Sequence, residues 1–218
     1  MKEFFKKFIS FFFSGRFSSK DRKFKVLEIQ STPNPDAYCF KLNKPATDSN
    51  SINFSLQEQS SRDEFASTVF KLYGVENIFI KDDFITITKS PVVGWGTLIV
   101  MIEKAIISSL AFYSNKSRFD KNSLKEFSYN EEFSKLGFLK FSDSEKEKII
   151  NAIFDQGVRP FLAKDGGDLT LIEVRGEVIR IRYEGACGTC PSASKGTLKF
   201  VEEIIRENLN PNLKVISI

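Results

Sequence analysis

The chain contains no histidine. That absence removes His-ligated zinc sites, Ser-His-Asp triads and Cys-His nucleophile pairs from any mechanism confined to one chain. Cysteine is scarce as well. Cys39, Cys187 and Cys190 are too few for a disulfide framework, so a reducing compartment is the expected environment. Excess charge of one sign is also lacking: 32 Lys and Arg are interleaved with 28 Asp and Glu, leaving a net +4. This is not the footprint of a nucleic-acid-binding protein. No apolar run reads as a membrane span either. The most hydrophobic stretch, GWGTLIVMIEKAIISSLAFY from Gly94 to Tyr113, carries Glu103 and Lys104 at mid-length, which argues for a buried helix and against stable membrane insertion.

What is present suits a soluble globular protein of 218 residues, 41% hydrophobic and 28% charged, forming one large or two small domains. The 23 phenylalanines are read as composition and core packing. Residues 1–25 stand apart. Phe4, Phe5, Phe8, Ile9, Phe11 and Phe12 recur at helical spacing opposite Lys6, Lys7, Ser10 and Ser14, and Glu3 is the one acid before Asp21. A basic, Ser-rich, acid-poor amphipathic leader reads as a transit peptide, with a signal peptide and a membrane-surface anchor as alternatives.

From Val26 to Ser114 the pattern is that of a small α+β domain. Alternation predicts strands in VLEIQ, YCFKL and INFSL, and a hairpin in VENIFIKDDFITITKS. STPNPDA, Ser31–Ala37, is a turn in which Pro33 and Pro35 fix φ and Asn34 and Asp36 supply caps. A helix is expected over Ser60–Gly74, with Ser61 and Glu64 at capping-box spacing, and another to Tyr113. Residues 115–142 read as a polar linker. Residues 143–218 form a second unit: a helix through Leu162, a tight turn at Asp165–Asp168, a hairpin about Arg175 and Gly176, a loop with two cysteines, a helix and a closing strand. The fold class is therefore α+β: two small domains, each a short, mostly antiparallel sheet packed with helices.

The chemistry is concentrated in GACGTCPSASKGTL, Gly185–Leu198. Cys187 and Cys190 are spaced so that both sulfurs can face one centre. The loop sits where a strand ends and a helix begins, and unpaired N–H groups with the positive helix end there favour thiolate over thiol. Gly185 and Gly188 let backbone approach a sulfur, and Pro191 suits the first helical turn. Soft thiolates select zinc, Cu(I) or iron–sulfur clusters, and a closed site needs four of them. A second copy of the loop, brought by a two-fold dimer, is the simplest completion. Thiol–disulfide exchange and a zinc-bridged interaction module remain open on the residues alone. Cys39, between Tyr38 and Phe40 in a strand, reads as a small core residue.

The stretch from Arg159 onward resembles the C-terminal domain of NifU-like (Nfu-type) iron–sulfur proteins. The resemblance rests on Arg159-Pro160, Asp165-Gly166-Gly167-Asp168, Gly185-Ala186-Cys187, Cys190-Pro191-Ser192 and Thr197-Leu198-Lys199. Upstream, TPNPDAYCFKL, FKLYGVENIFIKDDFITITKS and Trp95 resemble the Nfu N-terminal domain. The resemblance implies a non-enzymatic scaffold or carrier. It would hold a [4Fe–4S] cluster, or [2Fe–2S] as the form four thiolates also accommodate, between two subunits through Cys187 and Cys190. It implies an upstream assembly donor and apo iron–sulfur clients, among them lipoyl synthase and respiratory-chain subunits. With the leader read as a transit peptide, a mitochondrial matrix location is expected in a eukaryote and a cytoplasmic one otherwise.

Overall fold

The computed structural model describes residues 23–48, 51–55, 63–114, 137–190 and 193–218. The leader reading on residues 1–22, most of the linker reading, Ser61 and Pro191 lie outside these described residues.

Five short alternating segments build the first sheet: β1 Val26–Ser31, β2 Ala37–Leu42, β3 Ile52–Ser55, β4 Val75–Lys81 and β5 Phe84–Lys89. They are antiparallel in the order β1-β2-β5-β4-β3. The period-2 pattern puts Phe40, Ile78, Ile80, Ile85 and Ile87 on one face, where α1 (Glu64–Phe70) and α2 (Gly96–Ser109) cover them. Phe65, Ala66 and Val69 of α1 and Leu98, Ile102 and Ile106 of α2 complete that core.

Both helices are shorter than the sequence suggests. Helix α1 starts at Glu64 because the Asp63 carboxylate accepts the Ala66 N–H at 2.7 Å and so satisfies the first turn. Helix α2 stops at Ser109. Leu110 is extended, and Tyr113 instead bridges to Thr47.

The second unit begins inside the stretch read as linker: Phe138, in a 3₁₀ turn, is buried in its core. Ser142 opens α3 (Asp143–Ile153) with a full capping box, its hydroxyl accepting the Glu145 N–H while the Glu145 carboxylate accepts the Ser142 N–H. The single helix expected through Leu162 is interrupted. Phe154–Val158 is a π-turn, and α4 (Arg159–Lys164) follows. Pro160 supplies the physical reason, since it has no N–H to continue an α-helical ladder. Arg159 pins the break. Its guanidinium donates to the Asn151 side chain at 2.7 Å and pairs with Asp155 at 2.6 Å.

Strands β6 (Gly167–Arg175) and β7 (Val178–Gly185) form the expected hairpin. Helix α5 (Ala193–Asn208) then carries the chain over to β8 (Lys214–Ser217), which lies parallel to β7. A parallel neighbour requires such a crossover. Ile150, Phe154, Val158, Leu169, Ile179, Ile181, Val201 and Ile205 fill this second core.

The two units meet face to face. In β5 the sequence FITITK alternates, yet all six residues are buried. The isoleucines point to the helices. Phe84 and Thr86, with Cys39 and Phe79 from neighbouring strands, point to the second unit. Thr86 Oγ1 donates to the Gly166 carbonyl at 2.6 Å, and Lys81 Nζ lies 2.6 Å from Asp168 Oδ2. Among the described residues no helix is long and apolar enough to cross a membrane.

Candidate thiolate site

Strand β7 ends at Gly185, whose φ of 64° is left-handed and whose backbone lies against Gly166 and the Phe79 ring. A Cβ there would come within 2.5 Å of the Gly166 carbonyl, so only glycine lets the chain leave the sheet at this point. The loop that follows carries Cys187 and Cys190. All three cysteines of the chain are thiols, not disulfides. Cys187 is half-buried, Cys190 is 8% exposed, and both line one pocket of about 90 Å³. Leu162 and Asp165 line it from the end of α4, Thr197 from α5, and Pro33 and Asn34 from the first unit. Pro191 and the residue after it, between the loop and α5, are outside the described residues.

The Asp165–Asp168 turn, so far only a family landmark, acquires a physical role. Gly166 has φ 72° and packs on Thr86 and Cys39. Gly167 gives room to the Cys187 sulfur: a Cβ on it would sit 2.3 Å from Cys187 Sγ. The glycine is thus a cradle for the sulfur. Asp168 is buried between Lys81 at 2.6 Å and Arg159 Nε at 3.7 Å. Beside the loop, the Tyr183 hydroxyl is buried without a hydrogen-bond partner among the described residues.

The electrostatics differ from the expectation of an activated thiolate. Burial pushes the Cys187 thiol up to about 12, and the carboxylates of Asp165 and Asp168 and the neighbouring Cys190 add to the rise. Loss of water around the sulfur and the nearby acidic groups disfavour the thiolate, where N–H groups and a helix end were expected to favour it. In this state Cys187 is held as a thiol. A metal centre would reverse this, because a coordinating thiol is deprotonated outright. The donor chemistry fits such a centre: two soft sulfurs on one pocket, a glycine cradle, and an unpartnered hydroxyl nearby. Among the described residues no group of three or more His, Cys, Asp and Glu could close a metal site within the chain.

Cys39 lies apart from the pair. It is 1% exposed under Gly166, and burial raises its thiol too. Asn34 is a site residue that sequence reasoning does not reach. It reads as a cap of its own turn, and its Oδ1 does accept the Asp36 N–H at 3.0 Å. Its Nδ2, however, donates to Ala186 O at 3.1 Å and Thr189 Oγ1 at 2.9 Å, inside the cysteine loop. No local signal in the sequence distinguishes those two duties.

Comparison with known proteins bears on both units. The NifU-like domain family matches residues 150–216, and the family described as scaffold protein Nfu/NifU N terminal matches residues 27–112. "NifU-like protein 4, mitochondrial" of Arabidopsis thaliana is 27% identical over 191 residues, covering 87% of this chain and 64% of that protein. "NFU1 iron-sulfur cluster scaffold homolog, mitochondrial" of Homo sapiens is 26% identical over 172 residues, covering 78% and 63%. "Nitrogen fixation protein NifU" of Anabaena sp. (strain L31) is 43% identical over 72 residues, covering 33% and 63%. The chain thus spans just under two thirds of the length of these curated relatives. With both family matches in the same order as the two units, and together spanning well over half of the residues, the chain belongs to the NifU-like, Nfu-type family.

Proposed function

We propose that this chain is an iron–sulfur cluster scaffold or carrier and not an enzyme. Two copies each contribute Cys187 and Cys190, hold a [4Fe–4S] cluster as cargo and pass it to apo-proteins. The observation that carries this reading is the half-site itself: two thiols line one pocket, and among the described residues no group of three or more His, Cys, Asp or Glu could hold a metal. Four soft sulfurs suit an iron–sulfur cluster, and a site split between two chains can open to release it. The names of the human and Arabidopsis relatives support the scaffold role and a mitochondrial location. The donor and the client proteins follow from the same reading.

Thiol–disulfide exchange is the weaker alternative. It calls for an exposed thiol of lowered pKa, whereas the Cys187 thiol is raised and Cys190 is buried. Anaerobic reconstitution with iron and sulfide tests the proposal. The expected product holds about four iron atoms per dimer. Cys187→Ala and Cys190→Ala should each lose it. A variant that keeps the same iron and sulfide content would overturn the assignment. Zinc without sulfide in protein purified without oxygen would favour a zinc-bridged module instead.

A further inference from the structure

The Thr32–Pro35 turn is held rigidly on its own unit and reaches into the other. Thr32 Oγ1 donates to the carbonyl oxygens of Asn34 and Ala37, and Trp95 Nε1 donates to Pro35 O at 3.0 Å. Asn34, 2% exposed, uses both ends of its carboxamide. The oxygen caps Asp36 N–H, and the nitrogen donates to Ala186 O and Thr189 Oγ1, the neighbours of Cys187 and Cys190. Rotating the amide would break the bonds to Asp36 N–H and Ala186 O, since a backbone N–H needs an acceptor and a carbonyl needs a donor. Together with Pro33 it walls the pocket that both cysteines line.

We infer that Asn34 is a positioning residue of the thiolate loop, and that the Thr32–Pro35 turn covers the approach a second copy of this chain must use. The inference rests on the reading of Cys187 and Cys190 as half of a shared four-sulfur site. Sharing requires both sulfurs to turn toward the partner chain, and Cys190 is all but enclosed while the turn is in place. Assembly then has two stages: the first unit swings off the loop, and the second chain docks where the turn had been. The joint that must open is the one already described, from Asn34 through Thr86 and Gly166 to Lys81 and Asp168.

The test uses the full chain without iron and reads the rate at which iodoacetamide alkylates Cys190, resolved by mass spectrometry at one pH. Asn34→Ala removes the two bonds into the loop, and the rate should rise at least fivefold. Thr86→Val removes one bond of the same joint without touching the loop, and the rate should rise at least twofold. An unchanged rate in Asn34→Ala overturns the inference. So does a rise confined to Asn34→Ala with Thr86→Val at the parent rate, because then the loop alone has loosened and nothing has uncovered it. If Asn34→Ala fails to fold by circular dichroism, Asn34→Asp replaces it. The aspartate side chain keeps the acceptor that caps the turn and loses the donor, and carries the same expectation. None of these rates involves a cluster, so failure here leaves the scaffold reading standing. Failure of reconstitution in the parent chain would remove that reading without touching these rates.

Discussion

Replacing Gly167 with alanine adds one methyl group at the tightest point of the thiolate loop. Its Cβ would lie 2.3 Å from Cys187 Sγ, 3.1 Å from Cys187 Cβ and 3.2 Å from Glu184 O, whereas ordinary contact begins at 3.4 Å. The sulfur must therefore retreat by roughly 1 Å. The easiest escape is rotation about χ1, which costs about 0.5–1.5 kcal/mol if it leaves a staggered rotamer. The Cβ and the carbonyl must then give as well, so the total should approach the roughly 1–3 kcal/mol of an overpacked core. With a urea slope of about 1–3 kcal/mol per molar, the midpoint should fall by roughly 0.5–1 M. The site should suffer more than the fold, because metal–ligand distances tolerate only about 0.2 Å. We expect iron incorporation on anaerobic reconstitution to drop at least tenfold. Gly196→Ala is the control. Nothing lies within 4 Å of its Cβ, so a helical glycine becomes alanine at no steric cost and iron binding should be unchanged. A Gly167→Ala protein with the parent's urea midpoint and the parent's iron content would refute the cradle argument.

Three further outcomes follow from the packing. Ser142→Ala removes the capping-box hydroxyl of α3 and should cost about 1 kcal/mol in urea unfolding at neutral pH. Hydrogen bonds from Ser142 hold the Glu145 carboxyl below its ordinary range, so that contribution is present above the unfolded-state pKa and fades as pH falls through the lower folded one. The difference between parent and variant should therefore narrow in acid, and one that stayed constant down to about pH 2 would count against the bond from the Ser142 hydroxyl to the Glu145 carboxylate. Asp168→Asn leaves the partly buried Lys81 ammonium without its charge partner and should destabilise by about 2 kcal/mol; a loss below about 0.5 kcal/mol would place the pair in solvent. Cys39, fully covered and with its thiol raised by burial, should react with iodoacetamide at least a hundredfold more slowly in the native chain than in urea. Comparable rates by peptide mass spectrometry would contradict its burial.

Much of the fold is legible because one-dimensional period fixes which face a residue occupies. ITIT in β5 and IFI in β4 predict strands, and their isoleucines are the core. Alternation alone says nothing of what covers the other face, and there Thr86 is buried. Whether a second unit covers a sheet is decided by tertiary docking, which no local period records. The helix from Ser142 is another partial success. Its start is written in Ser142 and Glu145, while its π-turn follows from Pro160, whose missing N–H is visible in the sequence but whose remedy is not. In the site, Cys187 and Cys190 announce themselves by spacing. Gly167 and Asn34 do not, because close approach to a sulfur and a bond spanning 152 positions exist only after folding. The thiol of Cys187 departs from expectation for a related reason: the local rule for a helix start knows nothing of burial.

The face that joins the two units has an unusual make-up for something so completely covered. It offers Cys39, Thr86 and Lys81 around the rings of Phe79 and Phe84, with Lys41 lying over Phe84. A permanent seam would be expected to carry leucine and isoleucine, as the opposite face does. Hydroxyls and ammonium groups can exchange their partners for water at small net loss, so opening this face would cost chiefly the exposure of Phe79, Phe84 and Cys39. The sheet thus has one side filled largely with aliphatic and aromatic side chains, and one side whose polar contacts suit the opening inferred above.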